Sequence, residues 1–351
     1  MMIKSTPFCL MPWVHLHSGL KGKVSACCVA NIPLGNINHH SKEEIWNGEK
    51  INQLREKFAS GESDKRCSVC LNLEATGAKS IRQETMDKFS DLDLNEVSWP
   101  VYYDIPFSNH CNLACTTCWH GASSSWFKKA KASGTNISDK ALIQNVSNWK
   151  VFIDRWGEGL INAKEIYLAG GEPLLMEEHY QLLDFLIENG NTDVHLRYNS
   201  NFTRLNFKDK SVLDYWKQFS RVEVLASLDM DRSLGEEIRE GLNWQRIEEN
   251  RNELRQVKHV SFKISPTISS LNVLYLKDYF IRLIENYFIG PNDFYINILD
   301  RPLEYNIQSL SDSDKESVHS SLSELIQYLA DKGAEKETLR SIQDIIGHLD
   351  L

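Results

Sequence analysis

The 351-residue sequence lacks the features that mark several large classes of protein. It has no apolar run long enough to cross a membrane, and its opening, MMIKSTPFCLMPW, lacks the apolar core of a secretory signal. Positive charge is in deficit, and a formal net charge of -9 provides no basic surface for general nucleic-acid binding. We therefore expect a cytoplasmic protein, in a compartment that keeps thiols reduced, with no membrane and no general nucleic-acid partner.

Cysteine is absent from the last two thirds of the chain. All eight cysteines lie between Cys9 and Cys118. This distribution argues against a disulfide scaffold, which would spread its cysteines and would belong to a secreted chain. Clustered cysteines in a reducing compartment more often bind metal, so the sequence indicates a metalloprotein.

The remainder of the pattern is that of an α/β protein. Strand-like runs alternate with helical ones after Pro100, which predicts parallel βαβ units and an open or partial (β/α)6 TIM-like barrel. The six runs are VYYDIPF (101–107), EIYLA (165–169), VHLRYNS (194–200), RVEVLAS (221–227), VSFKISP (260–266) and DFYINIL (293–299). In such folds, chemistry collects in the loops at the carboxyl ends of the strands.

Helical periodicity fills the segments between and around these strands. Apolar residues from Leu142 to Trp156 predict one helix, and a second, carrying Tyr180 and Leu186, should end at Asn189-Gly190. Ser41 opens a capping box in the N-terminal part. From about residue 301 the sequence predicts an amphipathic helical tail.

Three cysteines follow the first predicted strand, in the stretch CNLACTTCW. Cys111, Cys115 and Cys118 form a C-x3-C-x2-C motif on one short loop. Three thiolates can hold three corners of a [4Fe–4S] cluster and leave the fourth iron open to a small molecule. The alternative is zinc, which requires a fourth ligand such as His110 or His120.

This loop resembles the cluster loop of the radical S-adenosylmethionine (SAM) superfamily. The resemblance implies that Cys111, Cys115 and Cys118 are the catalytic cluster ligands and that the open iron binds SAM. It also implies that an electron from the cluster cleaves SAM to methionine and a 5′-deoxyadenosyl radical. One departure is Thr117, which stands where the family often has an aromatic residue.

Four further stretches resemble family motifs that contact SAM. In GGEP, the glycines let the backbone approach the methionine moiety closely, and the Glu172 carboxylate would accept from its ammonium. NSN (199–201), SLD (227–229) and an Arg-Gly element ahead of a helix resemble the remaining polar contacts. The cofactor-binding residues implied are Gly170, Gly171, Glu172, Asn201, Ser227, Asp229 and Arg239.

A second cysteine group precedes the barrel. Cys9, Gly22 and Cys27, followed by the CSVC pair Cys67 and Cys70, resemble the auxiliary-cluster modules called SPASM and twitch. The resemblance implies a second, fully ligated [4Fe–4S] cluster, with structural zinc as the alternative. Cys28, adjacent to Cys27, remains as the spare thiol, and a choice between the two rests on the glycine spacing.

Together these patterns predict a radical SAM oxidoreductase or maturase in three parts. Residues 1–98 form the auxiliary iron–sulfur module, 99–300 the radical SAM partial barrel and 301–351 a helical extension. The expected partners are a peptide or small polar, sugar-like substrate and an external electron donor such as flavodoxin or ferredoxin. The alternative is a non-catalytic iron–sulfur or zinc protein that serves as a partner-binding scaffold.

Overall fold

The computed structural model describes residues 8–75, 79–135, 137 and 140–349. Within these ranges the strands are β1 (His15–Ser18), β2 (Lys23–Ser25), β3 (Pro33–Asn36), β4 (Tyr102–Asp104), β5 (Glu165–Leu168), β6 (His195–Ser200), β7 (Asn206–Phe207), β8 (Lys210–Ser211), β9 (Arg221–Ala226), β10 (Val260–Ile264), β11 (Thr267–Ile268) and β12 (Asn297–Ile298).

The helices include short single turns near the N-terminus and long amphipathic helices near the C-terminus. They are α1 (Met11–Val14), α2 (Lys42–Ile45), α3 (Glu49–Ala59), α4 (Ser68–Ala75), α5 (Ile81–Lys88), α6 (Phe127–Ala132), α7 (Trp149–Ile161), α8 (Glu177–Glu188), α9 (Val212–Trp216), α10 (Arg232–Ile238), α11 (Trp244–Leu254), α12 (Leu276–Glu285), α13 (Asp312–Asp331) and α14 (Lys336–Leu349).

The fold is α/β, with eight strands in a mostly parallel sheet, and the prediction of this class is confirmed. The helical tail is confirmed as well, as α13 and α14. No helix of the described ranges is both long and apolar enough to span a membrane. The chain divides into two compact units, the first from residues 1–109, 142–169 and 176–196 and the second from 110–141, 170–175 and 197–351.

In the first unit the strand order is β5-β4-β1-β2-β3. The pairs β5–β4 and β4–β1 are parallel, whereas β1–β2 and β2–β3 are antiparallel. The turn between β1 and β2 depends on Gly22, whose φ of 75° is one that glycine adopts without steric cost. A Cβ at this position would lie 2.3 Å from Nδ2 of Asn38 and 2.7 Å from the carbonyl oxygen of Asn145. Gly22, which is part of the predicted Cys9–Gly22–Cys27 pattern, is therefore required at this position for steric reasons.

The predicted helix over Leu142–Trp156 is wrong in its first half. Helix α7 begins at Trp149, after Asn148, whose side chain accepts from the backbone N–H of Val151. The preceding residues are held instead by the chain at 107–109, where Asn145 N donates to the Phe107 carbonyl over 2.8 Å. Tertiary hydrogen bonds and a helix cap thus overrode the helical periodicity. The next predicted helix, α8, ends at Glu188 before Gly190, whose φ is 76°.

The second unit holds β9, β10, residues 197–200 of β6, α6 and helices α9 to α14, with the strand order β10-β9-β6. Five of the six predicted barrel strands form as β4, β5, β6, β9 and β10. The sixth is reduced to a parallel bridge between Phe294 and Ile264 and to the two residues of β12, which pair with β11. The apolar residues of DFYINIL therefore predicted a longer strand than the backbone hydrogen bonds form.

Candidate functional site

The three-cysteine loop belongs to the second unit and is fastened by the serines and the tryptophan that follow it. Ser125 Oγ donates to the Cys111 carbonyl over 2.7 Å, and the Cys111 N–H donates to Ser124 Oγ over 3.2 Å. The indole N–H of Trp126 donates to the Cys115 carbonyl over 2.8 Å. These bonds hold the backbone that carries the cysteine side chains. The SSSW stretch (123–126) was not among the predicted site residues, although serines beside a cysteine loop are a sequence signal for such side-chain to backbone bonds.

Residues 238–241 brace the same loop from another side. The Ala114 N–H donates to the Glu240 carbonyl over 2.9 Å. Gly241 has a φ of 99°, and a Cβ there would lie 3.1 Å from the carbonyl oxygen of Asn112. The Arg-Gly element was predicted as a SAM contact; its glycine permits close packing against the cysteine loop.

Cys115 is buried, and Cys111 and Cys118 on either side of it are half-buried. Burial raises the pKa of Cys111 to about 12 and that of Cys118 to about 11, and the neighbouring Cys115 raises both further. Burial also raises the pKa of Cys115, against the guanidinium of Arg239, which lowers it. Because thiolates are the metal-binding form, such thiols ionise when a metal supplies the positive charge.

Nitrogen donors point at two of the sulfurs. The Leu113 N–H lies 3.5 Å from Cys111 Sγ, and Asn201 Nδ2 lies 3.7 Å from the same sulfur. Arg239 Nη1 lies 3.7 Å from Cys115 Sγ. Hydrogen bonds to the sulfurs are one of the means by which a protein tunes an iron–sulfur cluster, so this arrangement fits the predicted group.

GGEP forms a tight turn in the second unit. Gly170 and Gly171 have φ values of 78° and 55°, in the left-handed region that glycine adopts without steric cost. The Glu172 N–H that follows them donates to the His110 carbonyl over 2.6 Å. The turn therefore joins the start of the cysteine loop through its backbone.

The side chain of Glu172 is buried and accepts three hydrogen bonds. Oε1 accepts from Ser200 Oγ at 2.8 Å and from the Leu174 N–H at 3.1 Å, and Oε2 accepts from the Asn201 N–H at 2.6 Å. Burial raises the pKa of Glu172 to about 7, although these hydrogen bonds lower it. A solvent-exposed Glu172 is thus ruled out, and contact with the methionine ammonium stays a prediction.

Asp229 and Arg239 form a buried ion pair. Arg239 Nη2 donates to Asp229 Oδ1 over 2.8 Å, and that oxygen also accepts from the Thr267 N–H at 2.8 Å. Burial alone would lower the pKa of Arg239, but the Asp229 carboxylate and the Cys115 thiol raise it. Asp229 Oδ2 and Arg239 Nε are buried without a hydrogen-bond partner among the described residues. The pair therefore retains an acceptor and a donor for a polar ligand.

The remaining predicted contact, Ser227, is half-buried, and its N–H donates to the Ser200 carbonyl over 2.7 Å.

A zinc ion at the cysteine loop would need a fourth ligand, for which the sequence offered His110 or His120. His110 is exposed, and the His120 ring packs against Phe127 with 5.3 Å between ring centroids. Across the described ranges, no three His, Cys, Asp or Glu side chains converge on a single ion position.

The first unit gathers the other four predicted ligands around one cavity. Cys9, Cys27, Cys67 and Cys70 all line it, together with apolar residues such as Met11 and Phe58. The cavity volume open to water-sized atoms is about 30 Å³. Four thiols around one mainly apolar space fit the ligand set of a fully ligated cluster.

Cys27 and Cys28 differ in position. Cys27 lines the cavity, and its sulfur accepts from the Ala30 N–H at 3.0 Å. Cys28 is exposed and lies outside the cavity lining. This placement supports the choice of Cys27 as the ligand.

Sequence reasoning missed Arg82 at this cavity. Its side chain is buried, donates to the Phe8 carbonyl over 2.5 Å and pairs with Glu74, whose Oε1 lies 2.9 Å from Nε. The cavity thiols, in turn, have raised pKa values because of burial, about 12 for Cys9 and about 11 for Cys67. A lone arginine in a polar helix gave no signal that it would line a cysteine cavity.

Comparison with known proteins bears on this module. Residues 9–71 match the SPASM family, an iron–sulfur cluster-binding domain. The matched segment contains all four of the cavity cysteines, and the predicted SPASM-like iron–sulfur module is confirmed. No curated protein sequence matches the chain.

Solved structures similar to the chain include native anSMEcpe with bound AdoMet, at 16% identity and a TM-score of 0.49, covering 66% of this chain and 62% of that one. Streptococcus suis SuiB bound to S-adenosylmethionine is 16% identical, with a TM-score of 0.44 and coverage of 82% and 58%. SuiB bound to the precursor peptide SuiA is 17% identical, with a TM-score of 0.43 and coverage of 76% and 58%. The chain thus spans about three fifths of the length of these proteins.

Proposed function

We propose that the protein is a radical SAM enzyme with an auxiliary iron–sulfur cluster. The observation that carries the proposal is the single loop of Cys111, Cys115 and Cys118, in which nitrogen donors face the sulfurs of Cys111 and Cys115. A [4Fe–4S] cluster bound by these thiols supplies the electron that cleaves SAM to methionine and a 5′-deoxyadenosyl radical. The role of the chain is to hold the ligands, to bind SAM and to keep water from the reacting carbon.

Two features of the second unit support SAM binding. The left-handed turn at Gly170-Gly171 leaves its backbone without side chains, so a ligand can approach it closely. The buried Asp229–Arg239 pair offers one acceptor and one donor that the described residues leave unused. We assign both to the polar groups of SAM, with Asn201 and Ser227 as further contacts.

In the first unit, we assign the second cluster to Cys9, Cys27, Cys67 and Cys70. Four cysteine ligands complete the coordination of a cubane, so this cluster has no open iron for SAM. Held by these residues, the cluster would supply an electron acceptor for the substrate radical, which would make the net reaction an oxidation; the alternative is a purely structural cluster. The domain limits proposed remain 1–98, 99–300 and 301–351.

The substrate class we propose is a peptide or a small polar molecule, and the electron donor a flavodoxin or ferredoxin. All eight cysteines are free thiols. We place the protein in the cytoplasm, where a reducing environment maintains them.

The test is anaerobic reconstitution with iron and sulfide, followed by reduction in the presence of SAM. The wild-type protein should release 5′-deoxyadenosine, Cys115→Ala should release none, and the exposed Cys28→Ala should behave as wild type. Iron bound at the loop without 5′-deoxyadenosine release would instead support the non-catalytic scaffold. With a candidate substrate, transfer of deuterium into 5′-deoxyadenosine would identify the abstracted hydrogen.

A further inference from the structure

The guanidinium of Arg239 lies beside one of the three loop cysteines. The residue is 9% exposed, and Nη1 is 3.7 Å from Sγ of Cys115 while Nη2 is 2.8 Å from Oδ1 of Asp229. Arginine stays protonated in proteins, and its nitrogens hold a fixed planar geometry. The contact with Asp229 therefore orients the nitrogen that faces the sulfur.

Asp229 is itself held in place. It is 1% exposed, and its Oδ1 accepts a second hydrogen bond, from the Thr267 N–H, at 2.8 Å. Its backbone carbonyl accepts from Asn272 Nδ2 at 3.2 Å. A carboxylate anchored at both its side chain and its backbone makes a rigid support for the cation.

We propose that Arg239 raises the reduction potential of the cluster held by Cys111, Cys115 and Cys118, and that Asp229 positions it for that role. The inference rests on the proposed function, because it requires a cluster at these cysteines. Reduction adds one electron and so makes the cluster and its thiolates more negative. A buried cation that donates to the Cys115 sulfur stabilises the reduced form more than the oxidised form.

Two substitutions with opposite expected shifts in the reduction potential test the proposal. Arg239→Met removes the cation and the donor, so the potential should shift to a more negative value. Asp229→Asn keeps an oxygen to accept from Thr267 and Arg239 but removes the negative charge that partly offsets the guanidinium. The potential of this variant should shift to a more positive value. General damage to the fold would not shift the reduction potential in opposite directions when two residues of one ion pair are replaced.

A matched control exists in the same unit. Arg246 is exposed and pairs with Glu249 at 2.9 Å, and Arg246→Met should leave the potential unchanged. The measurement is a redox titration of the anaerobically reconstituted full chain, followed by electron paramagnetic resonance in the absence of SAM. The relevant signal is the one that Cys115→Ala removes. Iron content is determined first, so that only variants with equal occupancy are compared.

Opposite shifts in Arg239→Met and Asp229→Asn, with none in Arg246→Met, support the inference. An unchanged potential in Arg239→Met, or a negative or absent shift in Asp229→Asn, overturns it. If Arg239→Met does not retain the cluster, the Asp229→Asn result decides alone. A wild-type protein with no signal that depends on Cys115 would contradict the proposed function itself, and the inference with it.

Discussion

The hydroxyl of Ser200 donates to Oε1 of Glu172 over 2.8 Å, which joins the end of β6 to the GGEP turn. The Asn201 N–H donates to Oε2 at 2.6 Å, so both carboxylate oxygens are engaged by consecutive residues. A carboxylate offers about four acceptor positions, and three of those of Glu172 are used by described residues. Glu172 therefore positions the turn and retains capacity for one further donor.

Replacing Glu172 with Gln should affect both stability and SAM binding. The amide nitrogen would face a donor where an oxygen now accepts, which costs on the order of 1–3 kcal/mol in the free energy of unfolding. If the remaining position binds the methionine ammonium, SAM affinity should fall by roughly one to two orders of magnitude. Denaturant unfolding and equilibrium SAM binding measure the two effects.

The control for Glu172→Gln is Glu240→Gln. The Glu240 side chain is exposed and forms a surface ion pair with Lys129, and its backbone carbonyl accepts from the Ala114 N–H. This variant should retain wild-type stability and SAM affinity. If Glu172→Gln loses stability but binds SAM normally at equal cluster occupancy, Glu172 serves only to position the turn.

The two cysteine groups should bind iron independently, because each lies within its own compact unit. The reconstituted wild-type protein should contain about eight irons, four for each cluster. Cys115→Ala should lose the loop cluster and keep the auxiliary one, and Cys70→Ala should do the reverse. Iron and sulfide analysis checks both, with Cys28→Ala as the control. One tightly bound zinc with about four irons would contradict the auxiliary assignment and spare the SAM site.

The candidate ligands could be proposed from sequence spacing because they follow from local geometry. The C-x3-C-x2-C motif confines three thiols to one loop. In the other cysteine group, the φ of 75° at Gly22 explains why a glycine stands between Cys9 and Cys27. The sequence did not reveal how the loop is supported. The donors from Asn201 and Arg239 come from chain segments about 90 and 120 residues away, and no periodicity encodes such contacts.

Gly241 provides a test of that long-range support. Alanine there would adopt a φ of 99°, and its Cβ would lie 3.1 Å from both the Asn112 carbonyl oxygen and Leu113 Cδ2. Gly333 has a φ of 80°, but a Cβ added there would meet no atom within 4 Å, so this position isolates the backbone strain. We expect Gly333→Ala to lower the free energy of unfolding by about 1 kcal/mol and to leave iron binding unchanged.

Gly241→Ala should cost more than Gly333→Ala, since it adds a steric contact to the same backbone strain. The displaced loop should also bind less iron at Cys111, Cys115 and Cys118. Denaturant unfolding and iron analysis of the two variants, side by side, give both quantities. Equal losses of stability with full iron content in each would show that Gly241 does not support the loop.

We expect His15 to make the stability of the first unit dependent on pH. It is 1% exposed, its Nδ1 lies 3.5 Å from the Ala26 carbonyl oxygen, and its Nε2 has no hydrogen-bond partner in the described chain. Burial lowers the pKa of His15 to about 4, and His17 lowers it further, whereas Asp104 and Glu165 oppose the shift. The folded state therefore holds this imidazole neutral where an unfolded chain would protonate it.

The unfolded histidine has a pKa of about 6.5, so stability is fully present above that pH and is lost as the pH falls toward about 4. Between about pH 7.5 and pH 5, the loss from His15 should be on the order of 2 kcal/mol. His15→Phe keeps a ring to pack against Tyr102, whose ring centroid lies 4.4 Å from that of His15, but it cannot titrate. Denaturant unfolding at the two pH values should show a smaller loss for His15→Phe than for wild type. The exposed His319→Phe should retain the wild-type loss. If His15→Phe and wild type lose stability equally, His15 is protonated in the folded state as readily as in the unfolded chain.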